Sequence, residues 1–337
     1  MTRYILRRVL LALPALFGLI LLTFVLTRVI PGDPAATLAG DAATPAQLAE
    51  IRARYGLDRP ILEQALVHVR QVLTGDLGSS IFSGRPVMEE IVFRLPATLE
   101  LTFAAMLLSI GLGIPLGLLA ALNHNGPIDH LIRIVSVGGL AVASFWLAIM
   151  FQLLFAMEWD VLPLRGRSDL AYGAPPFHTG FYLIDSLWAG QGALFLDSLW
   201  HLVLPAVTLC LPGLASIARF TRSGVLEALQ KDYVLYARAA GYGRFRLAAI
   251  YVLRNAITVT VTQIGLLFGA LISGAVAVEA IFDWPGLGTY AVQAILSADY
   301  KALLAVTLVV GVVYAVINVL VDVLQALIDP RVAEDIR

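Results

Sequence analysis

"KDYVLYARAAGYGRFRLAAIYVLRNA" runs from Lys231 to Ala256. Five of its residues are basic (Lys231, Arg238, Arg244, Arg246, Arg254) and only Asp232 is acidic. Residues 198–218 lie upstream of it and residues 255–278 begin at its end, and neither run contains Asp, Glu, Lys or Arg. A basic, alanine- and glycine-punctuated stretch between two charge-free runs reads as a loop between two membrane spans. The rest of the chain tests that reading.

The 337 residues are 59% hydrophobic and 14% charged, against about 25% charged in an ordinary soluble domain. Mean hydropathy is +0.84. A soluble core could not hide that much apolar surface, so composition points to a polytopic membrane protein. Charge-free runs cover residues 9–27, 101–123, 134–157, 198–218, 255–278 and 302–321, between 19 and 24 residues each. Crossing the hydrocarbon takes about 20 helical residues. Each run is continuously apolar, whereas barrel strands alternate, so the expectation is an all-α protein with six transmembrane helices. Residues 170–184 and 284–298 are shorter, broken by Gly and Pro, and read as loops or interfacial pieces. Gly113/Gly117 and Gly265/Gly269 repeat at the spacing that lets helix backbones approach. Pro115, Pro205 and Pro212 are expected to bend or open their helices. The first run follows Arg3, Arg7 and Arg8 but is too long for a signal-peptide core, and reads as an uncleaved span.

Charge sets the orientation. With the N-terminus inside, residues 1–8, 123–133, 219–254 and 322–337 hold 13 basic and 7 acidic residues, leaving 10 basic and 17 acidic outside. Positive charge marks the cytoplasmic side, so both termini are expected there. The loop 219–254 shows the bias most sharply, with seven basic residues: Arg219, Arg222, Lys231, Arg238, Arg244, Arg246 and Arg254. Outside, residues 28–100 contain two amphipathic helices, one starting at Thr44 or Pro45 and one from Ile61 to Gly75. Further outside segments are 158–197 and the stretch after the fifth span.

Within the basic loop, Ser223–Ala240 predicts one helix, stopped at Gly241. A second short helix is expected over Arg244–Asn255. Ala237, Ala239, Ala240 and Gly241 leave the end of the first helix nearly without bulk. Three readings of this loop stand side by side: a topology signal, an anionic-lipid site, or a helix end that seats in a groove on another protein.

The lone Cys210 reads as a buried apolar thiol. The five histidines form no metal-ligand pair at helical spacing, so no metal site is expected. No G-x-x-x-x-G-K-[ST] phosphate loop occurs, so the chain is not expected to bind ATP. No constellation of catalytic groups lies in the spans, which argues against an enzyme. A stand-alone channel or secondary transporter is the other class, but no inverted repeat or intramembrane acid supports it. Gln152, Gln263 and Asn318 are polar residues at depth that either line a passage or bond between helices. Glu279, Asp283 and Trp284 sit at the outer mouth, as a gate or binding-protein dock, or as a capped, anchored loop.

The loop resembles the conserved cytoplasmic loop of binding-protein-dependent ABC importer permeases, in their peptide-importer form. There the pattern runs D-Y-[VI]-x-x-A-R-A-x-G, then basic residues, then L-R-N-A. Asp232, Tyr233, Val234, Ala237, Arg238, Ala239, Gly241, Leu253, Arg254, Asn255 and Ala256 match. The broader signature E-A-A-x-x-x-G fits less well, since its Glu position is Leu235. "RYILRRVLLALPALFGLILLTFVLTRVIPGDPA", "GDLGSSIFSGRPVMEEIVFRLPATLEL", "VEAIFDWPGLG" and "NVLVDVLQALIDPR" are similar to other parts of the family, and "TGFYLIDSL" to its dipeptide-import branch. The resemblance implies a type I ABC importer transmembrane domain with an extra extracytoplasmic helical segment. It divides as residues 1–96, the first span plus that segment, and 97–337, five spans with a coupling loop at 219–256. It further implies that Asp232, Tyr233, Ala237, Arg238, Ala239, Ala240, Gly241, Arg244 and Arg246 couple to an ATPase. The implied partners are a second related permease chain, two ATPase subunits that hold ATP and Mg, an extracytoplasmic substrate-binding protein and the lipid bilayer. No nucleic acid is expected. The implied cargo is a dipeptide or short peptide, with nickel complexes, glutathione and oligosaccharides as the alternatives.

Overall fold

The computed structural model describes residues 2–29, 44, 46–47, 58–243 and 246–328. Among these, helices are joined by turns, and the one strand-like pairing is the isolated bridge between Ser79 and Pro86. Most of the first amphipathic helix expected outside, after Thr44, falls beyond the described residues. Its start is described: the Thr44 N–H and hydroxyl donate to Gln47 Oε1 at 2.9 and 3.0 Å, and the Gln47 N–H returns to Thr44 Oγ1 at 3.4 Å. This is a capping box, which fixes Thr44 as the cap.

The helices are α1 (Thr2–Val29), α2 (Ile61–Leu73), α3 (Val87–Leu122), α4 (Pro127–Ala141), α5 (Ser144–Phe151), α6 (Tyr182–Trp188), α7 (Gly192–Leu229), α8 (Asp232–Ala239), α9 (Leu253–Ile281), α10 (Leu287–Leu296) and α11 (Tyr300–Ile328). A wide π-helical stretch, Gln152–Glu158, continues α5, and another, Leu247–Val252, leads into α9. Among the described residues, five helices contain stretches long and apolar enough to cross a membrane: Leu6–Leu26, Val87–Leu122, Gly192–Leu229, Gln263–Ile281 and Tyr300–Leu327. The expected third span is not one rod. It is α4 and α5 with its continuation, bent by 103°. Gly138 and Gly139 weaken the last turn of α4, and Val142 and Ala143 take extended backbone with ψ of 130 and 135°. Pro115, Pro205 and Pro212, by contrast, lie inside uninterrupted helix. The division expected at 96/97 falls within α3, a single helix of 36 residues.

Helices α3 and α7 run parallel and close. Ser109 Oγ donates to the Cys210 carbonyl at 3.0 Å. A Cβ on Gly113 would lie 2.8 Å from Ile217 Cγ2, and one on Gly117 would lie 2.5 Å from the Ala218 carbonyl oxygen. Helix α9 crosses both in the opposite sense, with Thr260 beside Thr221 (3.2 Å) at one end and Glu279 beside Thr98 (2.6 Å) at the other. Helix α11 lies on α9, where Val321 and Tyr314 cover Gly265 and Gly269. Helix α1 lies on α11, with Leu19 over Gly311 and an Arg8–Asp322 ion pair at 3.2 Å. Both glycine pairs singled out in the sequence are thus helix contacts. The central core gathers Leu101, Ala105, Leu209, Leu271, Ala275, Val278 and Trp284, with Cys210 buried among them.

Gly117→Ala is expected to lower stability by about 1–3 kcal/mol, because a backbone carbonyl cannot yield to the added methyl. Gly111 has open space around a Cβ, so Gly111→Ala is expected to be neutral or stabilising by up to about 1 kcal/mol. Thermal melts of the two variants in one detergent check both.

Candidate functional site

The basic loop is built from the end of α7, then α8, then the turn into α9. α7 ends at Leu229, and Lys231 takes extended backbone (φ −79°, ψ 147°) before α8 begins. The single helix expected over Ser223–Ala240 is therefore two. No Gly or Pro causes the break. Burial does, since Val234 and Ala237 turn inward against Ala121, Val225, Ala228, Leu247 and Val252. Asp232 sits in the first turn and Arg238 in the last, each favoured by the helix dipole. Gly241 has φ of +83°, with its N–H on the Arg238 carbonyl at 3.0 Å and that of Tyr242 on the Ala237 carbonyl at 3.3 Å. The helix thus stops where the sequence says it does, for the reason given: left-handed backbone suits glycine. The second short helix does not stand apart, because Leu247–Val252 runs straight into α9 at Leu253.

This seating divides the predicted coupling residues. Val234 and Ala237 are 0% and 5% exposed, so Ala237 faces the bundle and not the surrounding space. Asp232, Tyr233, Arg238, Ala239, Ala240, Gly241 and Arg246 are exposed. Arg244 lies outside the described residues. Leu235 and Tyr236, 58% and 80% exposed, were not foreseen as surface. The helical period signals them: if positions 234 and 237 point in, positions 235, 236 and 239 point out.

The seven basic residues are not one reservoir of charge. Arg222 is bound to Asp129 through Nε–Oδ1 at 2.6 Å and Nη2–Oδ2 at 2.7 Å. Lys231 pairs with Glu227 at 3.2 Å. Arg219 lies over the Phe220 ring at 5.2 Å and Arg246 over the Tyr242 ring at 5.3 Å.

The other end of the bundle holds a second polar assembly. Glu279 is fully buried and accepts from the Thr98 hydroxyl (2.6 Å) and the Gly288 (2.7 Å) and Thr289 (3.2 Å) N–H groups. Its carboxylate thereby caps α10, and occupies the space a Cβ on Gly286 would need. Trp284 is buried too, its indole N–H on the Ala97 carbonyl at 2.9 Å. Neither offers surface to a docking protein. Of the three mouth residues only Asp283 is exposed, with φ of +50°. Arg167 pairs with Glu100, donates to the Gly180 carbonyl at 3.1 Å and lies 3.7 Å over the Tyr182 ring. Glu100 also accepts the Leu183 N–H at 2.9 Å. The loop between the π-helical stretch and α7 is thus bolted to α3.

Of the polar residues at depth, Gln152 donates to the Leu164 and Ile281 carbonyls at 2.9 and 3.0 Å. It ties three segments together. Gln263 and Asn318 are half-buried, and no side-chain hydrogen bond joins either to another described residue. His201 Nδ1 lies 2.9 Å from the Asp197 carbonyl in its own helix. No cluster of three potential metal ligands occurs among the described residues.

Residues 113–334 match the family described as binding-protein-dependent transport system inner membrane component, and residues 1–102 match the N-terminal part of such components. The chain belongs to this family of ABC importer permeases. Relatives span nearly its whole length. The permease is 43% identical over 315 residues to the probable D,D-dipeptide transport system permease protein DdpB of Escherichia coli strain K12, covering 94% of this chain and 93% of that one. It is 40% identical over 336 residues to the dipeptide transport system permease protein DppB of the same strain, covering 98% and 99%. It is 34% identical over 333 residues to the oligopeptide transport system permease protein AppB of Bacillus subtilis, covering 98% and 99%. The several apolar spans make it a multi-pass membrane protein.

Asp185, outside the spans, organises the bolted loop. It accepts the N–H groups of His178 (3.2 Å), Thr179 (2.9 Å) and Gly180 (2.8 Å) and the Thr179 hydroxyl (2.8 Å). Burial pushes its pKa up, but these donors outweigh burial and hold it below the ordinary 3.8. A group whose pKa falls on folding stabilises fully above its unfolded value and loses that contribution as pH drops through the folded one. The loop is therefore expected to resist limited proteolysis at neutral pH and to yield only below about pH 4. Asp185→Asn is expected to yield at neutral pH, losing about 1–3 kcal/mol.

Proposed function

We propose that the permease forms half of the translocation pathway for dipeptides or other short peptides, and that its exposed α8 surface docks an ATPase subunit. The single observation that carries the docking assignment is how α8 is built. Val234 and Ala237 fasten it to the bundle, while Tyr233, Leu235, Tyr236 and Arg238 face outward beside the small Ala239–Ala240–Gly241 tip. Aromatic and arginine anchors around a bulk-free tip suit a close fit into a groove. The peptide assignment rests on the relatives, whose names specify D,D-dipeptide, dipeptide and oligopeptide transport.

Because no phosphate loop is present in the sequence, ATP and Mg belong to separate ATPase subunits. A second related permease chain completes the pathway, and an extracytoplasmic binding protein delivers the solute. The charge bias puts both termini and α8 in the cytoplasm. ATP binding draws the two ATPase subunits together. α8 moves with the one that holds it, and α7 and α9, to which it is joined, tilt and open the pathway to the other side. Shifting a two-state bundle from 1:99 to 99:1 needs about 5.5 kcal/mol of differential binding, so the contact must be stiff as well as close. Gln263 and Asn318 are the pathway candidates left without side-chain partners among the described residues, and Asp283 is the exposed candidate at the outer mouth. A lining without fixed charge suits varied short peptides, with selection made by the binding protein.

Gly241 supplies the test. A Cβ there meets nothing within 4 Å among the described residues, although the φ of +83° strains any L residue placed there, so a small and a bulky substitution are compared. Gly241→Asn, which tolerates left-handed backbone, is expected to retain uptake of labelled dipeptide by the reconstituted complex. Gly241→Trp is expected to insert normally, lose uptake and uncouple ATP hydrolysis. Normal uptake by Gly241→Trp would count against α8 as the dock. Uptake of nickel, glutathione or an oligosaccharide in place of peptide would overturn the cargo.

A further inference from the structure

We infer that Asp129 and Arg222 form a rigid joint that makes the bent third span move with the coupling helix, although α4 and α8 are not adjacent in sequence. The inference rests on α8 being the ATPase dock. Asp129 is fully buried and gathers four donors from three places. Arg222 of α7 grips it with both arms of the guanidinium, at 2.6 and 2.7 Å. Arg133, one turn along α4, donates to Oδ2 at 3.0 Å. The N–H of Asn125, in the α3–α4 turn, donates to the same oxygen at 3.0 Å. Asn125 has φ of +60°, and the bond to Asp129 holds it there. His124 Nδ1 adds a contact to Arg222 Nη2 at 3.2 Å.

A two-armed arginine–carboxylate contact fixes angle as well as distance. Farther along the same helix pair, Gly139 passes Leu211 with only a smooth approach, where even an added Cβ would stand 3.6 Å from the carbonyl oxygen. The ion pair is therefore the fixed point between α4 and α7, and the small-residue contact is the part free to slide. Arg222 also lies within one turn of Val225 and two of Ala228, the residues of α7 that seat α8. Motion of α8 reaches α7 through that cluster and α4 through Arg222. Thus the 103° bend of the third span is placed on the lever and not beside it. Asp129 and Arg222 are positioning residues, touching neither solute nor ATPase in this assignment.

Arg222→Lys keeps the charge and removes the second arm. The complete complex carrying it is expected to assemble with both ATPase subunits and hydrolyse ATP, yet import about fivefold or more less peptide per ATP, the lower end of ordinary coupling factors. Spin labels at Leu131 on α4 and Glu227 on α7, both exposed, add a readout that stability alone would not move. In the wild-type background their separation is expected to stay constant between nucleotide-free and ATP-trapped states, whereas in Arg222→Lys it is expected to change. Unaltered import per ATP in Arg222→Lys, or labels that part in the wild-type cycle, would overturn the joint. If the wild-type chain brings down no ATPase subunit, the docking assignment fails instead, which is a separate outcome.

Discussion

The closeness of α3 to α7 is the constraint on which the rest of the bundle depends. Lipid tails are as apolar as leucine, so burying leucines gives membrane helices little reason to associate. Contact has to come from packing, and packing requires backbones that can approach. Gly113 and Gly117 provide this, lying where any Cβ would overlap Ile217 or the Ala218 carbonyl. With that pair fixed, α9 can lie across both helices, α11 on α9 and α1 on α11, with glycines again under Val321, Tyr314 and Leu19. The hydrophobic composition puts the chain in a membrane, but missing side chains hold it together.

Polar joints then act at the two ends of this axis. At one end Asp129, Arg133 and Arg222 lock the α3–α4 turn to α7. At the other, Glu100 with Arg167, and Glu279 with Thr98, lock a long loop and α10 to α3 and α9. A buried ion pair adds little net stability over an apolar core. What it adds is geometry: each carboxylate is filled by several donors that fix angle as well as distance. Stiff ends on a core of small residues give a body that tilts as units and does not deform smoothly, which suits a gate driven from outside.

Much of this was legible in the sequence. The spans, the basic loop, the stop at Gly241 and the helix after Pro60 follow from hydropathy, charge and turn chemistry, all of which are local. What escaped was tertiary. The bend at Val142–Ala143 has only a glycine pair to announce it. The break at Lys231 comes from burial of Val234 and Ala237, and the same burial moves Ala237 from partner surface to bundle contact. Charge-free runs find spans but stop at Glu100 and Glu279, so the buried acids mark the edges of those runs and their roles stay hidden. Arg167, in a loop of glycine, proline and aromatics, carries no local signal at all. Trp284 read as a mouth residue because it follows a span, whereas its indole is tucked against α3.

The outward face of α8 sets Tyr233, Leu235 and Tyr236 beside the charged Asp232 and Arg238, and of the nearby basic residues Arg222 and Lys231 are ion-paired within the chain. An interface of that kind draws its strength from water exclusion. Salt shortens the reach of exposed charges to about 3 Å at 1 M but leaves apolar contact intact. In the proposed docking, the share of the grip that rests on Leu235 and Tyr236 is one that concentrated salt washes should leave in place and that mild chaotropes should loosen.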